Sequence, residues 1–192
     1  MANILLLGPQ GAGKGTQGRL IASAHGLPHV ATGDMLRTAM AAGTDLGCRV
    51  KPIYDAGGLV PDDLMIALIR ERLAEGDARE GFVLDGFPRT MTQAEALEEM
   101  LREIGRGLDV VLEFQVPDGV GRERMLRRAA EEGRTDDTPE AIDERLRLYH
   151  EETEPLIEYY RTRGNLVGVH ADRPVNEVFS EIQETLEQVA VR

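Results

Sequence analysis

The strongest constraint in this sequence is the segment Gly8-Pro9-Gln10-Gly11-Ala12-Gly13-Lys14-Gly15-Thr16. It lies directly after the apolar run Ile4–Leu7 and leads into a helical pattern over Gly15–His25. A short run that is apolar at every residue suits a strand buried on both faces, as in parallel sheets. The glycines at 8, 11, 13 and 15 let the backbone turn so that successive N–H groups point inward around phosphate oxygens. The helix that follows presents its N-terminus, and the positive end of its dipole, to the same anion. Lys14 adds a full charge able to follow a transferred phosphoryl group. The hydroxyl arrives at Thr16, one position later than in the common form of this motif. An incidental glycine turn explains neither this order nor the presence here of one of only two lysines in the chain. The loop alone leaves two classes open, an enzyme and a nucleotide-dependent switch.

The same grammar continues along the chain. Further apolar runs occur at His29–Ala31, Phe82–Leu84, Val110–Phe114 and Leu166–Val169, with helical patterns between them. Pro61 with Asp62 and Asp63 marks a helix start over Pro61–Ala74, through its fixed φ and favourable dipole charge. Asp172 is placed to cap the last helix and Pro174 to begin it. Apolar residues then recur at 175, 178, 179, 182, 186 and 189. Alternating strands and helices predict an α/β domain spanning 1–192, with a five-stranded parallel sheet covered on both faces. Two stretches fit the alternation less well. Residues 31–60 read as two short helices around Gly43, and 127–138 is polar and crowded with charge.

Composition narrows the partners. The chain carries 22 Lys and Arg against 34 Asp and Glu, a formal net charge of −12. That excludes a surface built to track nucleic acid or an anionic membrane. Aromatic residues make up 4% with no Trp, too few for a base-stacking platform. The single Cys48 permits no internal disulfide and no cysteine zinc cluster, and is read as a small hydrophobe. The start of the chain lacks a basic segment and its apolar run is too short for a signal core, so a cytoplasmic protein is expected. Tyr149-His150-Glu151 begins like a zinc-protease helix, but Glu154 stands where the second histidine would be needed. His25, His29 and His170 are isolated and read as surface or satisfied core residues.

Three further segments make the pattern specific: Thr32-Gly33-Asp34-Met35-Leu36-Arg37, Gly58-Leu59-Val60-Pro61-Asp62, and Asp85-Gly86-Phe87-Pro88-Arg89-Thr90 with Gln93. Gly133-Arg134-Thr135-Asp136-Asp137, Arg145-Leu146 and Thr153-Glu154-Pro155-Leu156-Ile157 extend it. Together with the loop, this ordered set resembles the nucleoside monophosphate kinases, the adenylate kinase family most closely, over nearly the whole chain. The resemblance implies a P-loop kinase fold with a monophosphate-binding insertion at 31–60 and a short lid at about 127–137 without zinc. It also implies Mg²⁺-dependent transfer from ATP to AMP giving two ADP, by a monomer. UMP/CMP kinases of the same architecture are the nearest alternative. Thr32, Phe87–Thr90 and Gln93 favour adenine as the acceptor base.

By resemblance, the ATP phosphates lie on Gly11, Ala12, Gly13, Lys14, Gly15 and Thr16, with Arg124, Arg128 and the segment at Arg173. AMP lies on Arg37 and Arg89, with Thr32, Gly86 and Gln93 reading adenine beside Leu59 and Val60. Arg134 and Arg145 join the AMP site, and Lys14, Arg89, Arg124, Arg134 and Arg145 carry the catalysis. Thr16 and Asp85 orient Mg²⁺ indirectly, Asp85 through water. Chemistry supports this residue choice. Two polyphosphates held nose to nose repel, so cations must gather between them and water must be excluded. Arginine suits the task because its planar fork grips two phosphate oxygens at once. Arg124 and Arg128 share a helix face by spacing, although a solvated salt-bridged face with Arg122, Glu123, Arg127 and Glu131 fits the spacing as well. Asp136 and Asp137 either orient the lid arginines, close the lid onto the core, or are ordinary surface acids. Gly58 departs from the family, where a longer side chain is frequent, as does Gln10.

Overall fold

Five parallel strands carry the architecture: β1 (Ala2–Leu7), β2 (His29–Ala31), β3 (Gly81–Asp85), β4 (Val110–Gln115) and β5 (Leu166–His170), in the order β2-β3-β1-β4-β5. The computed structural model describes residues 2–190. Period-two alternation explains why their inner runs carry apolar residues at both alternating positions. Leu5 and Leu7 of β1, Phe82 and Leu84 of β3, and Val111 of β4 enter one core. Ile4, Leu6, Val83, Val110, Leu112 and Phe114 enter the other. A strand that feeds two cores has no solvent face to mark with polar residues.

Each core is closed by its own helices. α1 (Lys14–His25) and α9 (Val175–Ala190) cover one face, with Ile21, Val178, Ile182 and Leu186 packed inward. On the other face lie α2 (Thr32–Ala41), α3 (Asp45–Asp55), α4 (Asp62–Leu73), α5 (Met91–Glu103) and, further on, α8 (Pro155–Arg161). Between β4 and β5 the chain also forms α6 (Asp118–Glu132), α7 (Pro139–Leu148) and a π-helical turn, Tyr149–Thr153. Met125, Ile142 and Leu146 make a small third cluster joining α6 to α7.

Residues 31–60 form α2 and α3 around Gly43, as expected, and residues 127–137 are the end of α6 and the loop beyond it. Some local expectations are corrected. Pro61 precedes α4 instead of lying within its first turn, and its carbonyl accepts from Met65 N–H at 3.1 Å. Asp172 does not cap α9. That helix starts at Val175 with the Pro174 carbonyl accepting from Glu177 and Val178, while Asp172 stands 3.7 Å from Arg124. Cys48 is exposed, not packed as a small hydrophobe. No helix among the described residues is long and apolar enough to cross a membrane.

Candidate active site

The carboxyl ends of parallel strands gather the loops that bind ligands. Here they frame a cleft of about 910 Å³. Its floor is the glycine-rich loop between β1 and α1. Gly11 has φ +79°, and a Cβ there would sit 2.2 Å from the Gly121 carbonyl oxygen of α6, so only glycine fits. Gly121 is an α6 position that motif reading missed; a glycine inside a helix was its one signal. Gly13, at φ +93°, opens α1 without any side-chain cap, which leaves first-turn N–H groups facing an incoming anion. The Lys14 ammonium donates to the carbonyls of Gly8 at 2.6 Å and Pro9 at 2.7 Å. Burial lowers its pKa to about 8, with Asp85 opposing the shift and Arg89 and Arg128 adding to it. Thr16 is exposed at the head of α1.

Lys14 titrates where activity is easily measured, which gives a signed expectation. Without ligand the ammonium is lost as pH rises through about 8, so for the triphosphate substrate that the resemblance implies, kcat/KM is expected to fall above that pH. A bound polyphosphate favours the charged form and moves the limb in kcat to higher pH. Initial rates measured by direct nucleotide separation from pH 6 to 10 test this. A flat kcat/KM through pH 9 would show that Lys14 stays protonated in the free enzyme.

Beside the loop, β3 ends in Asp85. Burial resists ionisation of this carboxyl. His29, Lys14 and Arg89 outweigh it and hold the pKa below the usual carboxylate value. His29 Nε2 is 3.8 Å from Asp85 Oδ2, an ion-pair separation longer than a hydrogen bond. The turn after β3 delivers Arg89, whose Nε donates to the Gly86 carbonyl at 2.9 Å. Its backbone N–H donates to Gln93 Oε1 at 2.8 Å, and its carbonyl accepts from the Thr153 hydroxyl at 2.9 Å. Burial lowers the Arg89 pKa, with Tyr54 and Asp85 acting against it. Backbone and side chain are thus both held before any substrate arrives.

The charged stretch after α6 contains buried acids. Asp137 and Asp136 are buried, at 3% and 7% exposure, so they are not surface acids. Asp137 accepts from Arg145 at 2.5 Å and Arg128 at 2.8 Å, and lies 3.6 Å from Arg134. Asp136 accepts from Arg145 at 3.1 Å. The two carboxylates hold three arginines from α6, the loop and α7 on one wall. Arg134 Nε is buried without a protein hydrogen-bond acceptor among the described residues. Arg124 shares the α6 face with Arg128 and donates to the Ala171 carbonyl at 3.0 Å. The solvated pairs of that helix, Arg122–Asp143 at 2.9 Å and Arg127–Glu131 at 4.0 Å, involve other residues.

The cleft wall therefore contains Gly11 to Thr16, Arg37, Asp85, Gly86, Arg89, Arg124, Arg128, Arg134, Arg145 and Arg173. Arg173 is exposed, donates to the His170 carbonyl at 3.0 Å and pairs with Glu181. Four expected residues lie behind the wall. Thr32 is buried with its hydroxyl 3.3 Å from the Asp85 carbonyl, Val60 is buried in the core that α4 enters, and Leu59 is half-buried just before it. Gln93 is buried too, its amide nitrogen donating to Asp62 at 2.7 Å. Tyr54, His29 and Gly58 line the cleft as well. Ten of the 22 cations and five of the 34 acids face this one cavity, so a protein of charge −12 presents a site of formal charge +5.

A parallel α/β sheet whose first loop can cradle a phosphate, facing arginines on the opposite walls of one cleft, defines a P-loop phosphotransferase of the nucleoside monophosphate kinase class. Comparison with known proteins agrees. The family model described as Adenylate kinase matches residues 6–165. The chain is 44% identical to the adenylate kinase of Cyanothece sp. over 189 residues, covering 98% of this chain and 97% of that one. It is 46% identical to the enzyme of Thermobifida fusca, covering 97% and 99%, and 40% identical to that of Archaeoglobus fulgidus, again covering 97% and 99%. The chain belongs to the adenylate kinase family.

Proposed function

We propose that this chain catalyses reversible phosphoryl transfer, ATP + AMP ⇌ 2 ADP. One observation carries the reading: Arg37 and Arg89 stand in the same cleft as the phosphate loop. A switch that binds one nucleotide needs no second phosphate site. The ATP phosphates occupy the loop from Gly11 to Thr16 with Lys14, Arg124 and Arg128, and Arg173 borders the ATP base. Arg37 and Arg89 take the AMP phosphate beside Gly86 at the cleft wall, and Thr32, Gln93, Leu59 and Val60, which lie behind that wall in this structure, reach the adenine when the 31–60 cover moves. Arg134 and Arg145, held by Asp136 and Asp137, line the cleft and serve the acceptor phosphate.

Catalysis on this reading is positioning plus charge neutralisation, with no covalent intermediate. The AMP oxygen attacks the terminal phosphorus in line while Lys14 and the arginines balance charge on the equatorial oxygens. The low pKa of Asp85 keeps it anionic, and with the exposed Thr16 hydroxyl it makes a hard-oxygen donor set that fits Mg²⁺. Bound there with ATP, Mg²⁺ supplies charge neutralisation at the β- and γ-phosphates. Residues 31–60 and 127–137 act as the two covers that close over substrates and keep water from serving as acceptor. A cytoplasmic monomer completes the reading.

The test is an acceptor assay with ATP and AMP, CMP, UMP or GMP. AMP is expected to be used fastest, and product formation should require an acceptor. Faster turnover of CMP or UMP would reassign the base pocket, and ATP hydrolysis indifferent to any acceptor would remove the kinase reading.

A further inference from the structure

Arg37 and Arg145 belong to helices far apart in the chain, yet both reach one side chain. Tyr54 lies near the end of α3 and lines the cleft beside them. Its hydroxyl accepts from Arg37 Nη1 at 2.6 Å. The Arg145 guanidinium carbon lies 5.4 Å from the centroid of its ring, within cation–π range. Arg145 Nη2 also lies 3.3 Å from the Tyr54 carbonyl oxygen. We propose that Tyr54 is a positioning residue of the acceptor site, orienting Arg37 through its hydroxyl and Arg145 through its ring.

The chemistry of the partner matters. Arg37 also pairs with Asp34 through its other terminal nitrogen. A carboxylate orients a guanidinium but competes with the phosphate that the guanidinium must bind. A phenol orients it without adding negative charge to an anion site. The ring does the corresponding work for Arg145, whose terminal nitrogens are otherwise held by Asp136 and Asp137. Tyr54 therefore ties α3 to α7 and sets the distance between two phosphate-binding cations.

The inference rests on the reading that Arg37 holds the acceptor phosphate, so Arg37→Ala is measured beside Tyr54→Phe, Tyr54→Leu and the Tyr54→Phe/Arg37→Ala double variant. Tyr54→Phe keeps the ring and removes one hydrogen bond to a charged group. It is expected to raise KM for AMP about tenfold while leaving kcat and KM for ATP within about twofold. Tyr54→Leu loses the ring too and should lower kcat as well. The double variant should be no worse toward AMP than Arg37→Ala alone, because the hydroxyl acts through Arg37. If Arg37→Ala weakens AMP selectively and Tyr54→Phe does not, the role of Tyr54 is overturned and the acceptor site stands. Equal changes in both KM values for Tyr54→Phe would likewise overturn it, as a structural effect. If Arg37→Ala leaves KM for AMP unchanged, the acceptor-site reading fails and the role of Tyr54 fails with it.

Discussion

Arg89→Ala is expected to lower kcat/KM for AMP about 10²–10³-fold, the loss seen when one preorganised charge-stabilising group is removed from a reacting centre. Three features make this side chain a larger contributor than the arginines at the rim. Its backbone is fixed by Gln93 on one side and Thr153 on the other, and its Nε is held by the Gly86 carbonyl. Little reorganisation then remains when charge develops on the phosphate. Burial also places it where electrostatic interactions are least screened. Arg89→Lys should recover only part of the loss, because an ammonium cannot grip two oxygens in the plane of a fork. The measurement is steady-state kinetics with each substrate varied in turn, beside a thermal melt to show that the variant folds. A variant with intact transfer would move the acceptor phosphate elsewhere in the cleft.

Asp137→Ala should cost about 3 kcal/mol of folding stability, because breaking a buried ion pair leaves an uncompensated charge behind. The Asp137 side chain has no exposed surface, and Arg145 beside it is 8% exposed. Arg145 keeps Asp136 at 3.1 Å, and Arg128 is about a third exposed, which holds the figure below the full cost of an isolated buried charge. For a chain of this size the melting midpoint should fall by about 6–12 °C. Urea unfolding with an unchanged slope would locate the effect in the native state. The loss should persist in molar salt, since buried pairs are weakly screened. A change below about 1 kcal/mol would show that solvent reaches these arginines and that the acids do not hold them.

Much of the scaffold was legible because its signals are local. Ile4–Leu7 is apolar at both alternating positions, and so is Val110–Phe114 apart from Glu113, as a strand between two cores requires. The apolar repeat from Val178 to Leu186 likewise announces α9, which packs Val178, Ile182 and Leu186 inward. The site was legible where backbone conformation demands a residue type, as at Gly11 and Gly13. It was legible again where chemistry does, as with the arginines brought to one cleft. It was not legible where a side chain answers to a distant partner. Asp136 and Asp137 sit in a stretch that reads as solvent-exposed, and only their enclosure between α6 and α7 shows that they organise the arginines. Gln93 is expected from sequence to read adenine, but folding ties it to Asp62 and to the backbone of Arg89.

By itself, then, the sequence determined a phosphate-cradling loop on a parallel sheet and the identity of the cations that answer it. Both follow from backbone freedom, period-two burial and charge type, which are properties of a few neighbouring residues. Tertiary structure alone decided which cations converge and what holds them. Tyr54 and Arg145 are 91 residues apart, and Thr153 and Arg89 are 64 apart. No local spacing encodes such pairs. They exist because the strand order β2-β3-β1-β4-β5 gathers the carboxyl-end loops into one cleft, where a protein of net charge −12 reverses its field.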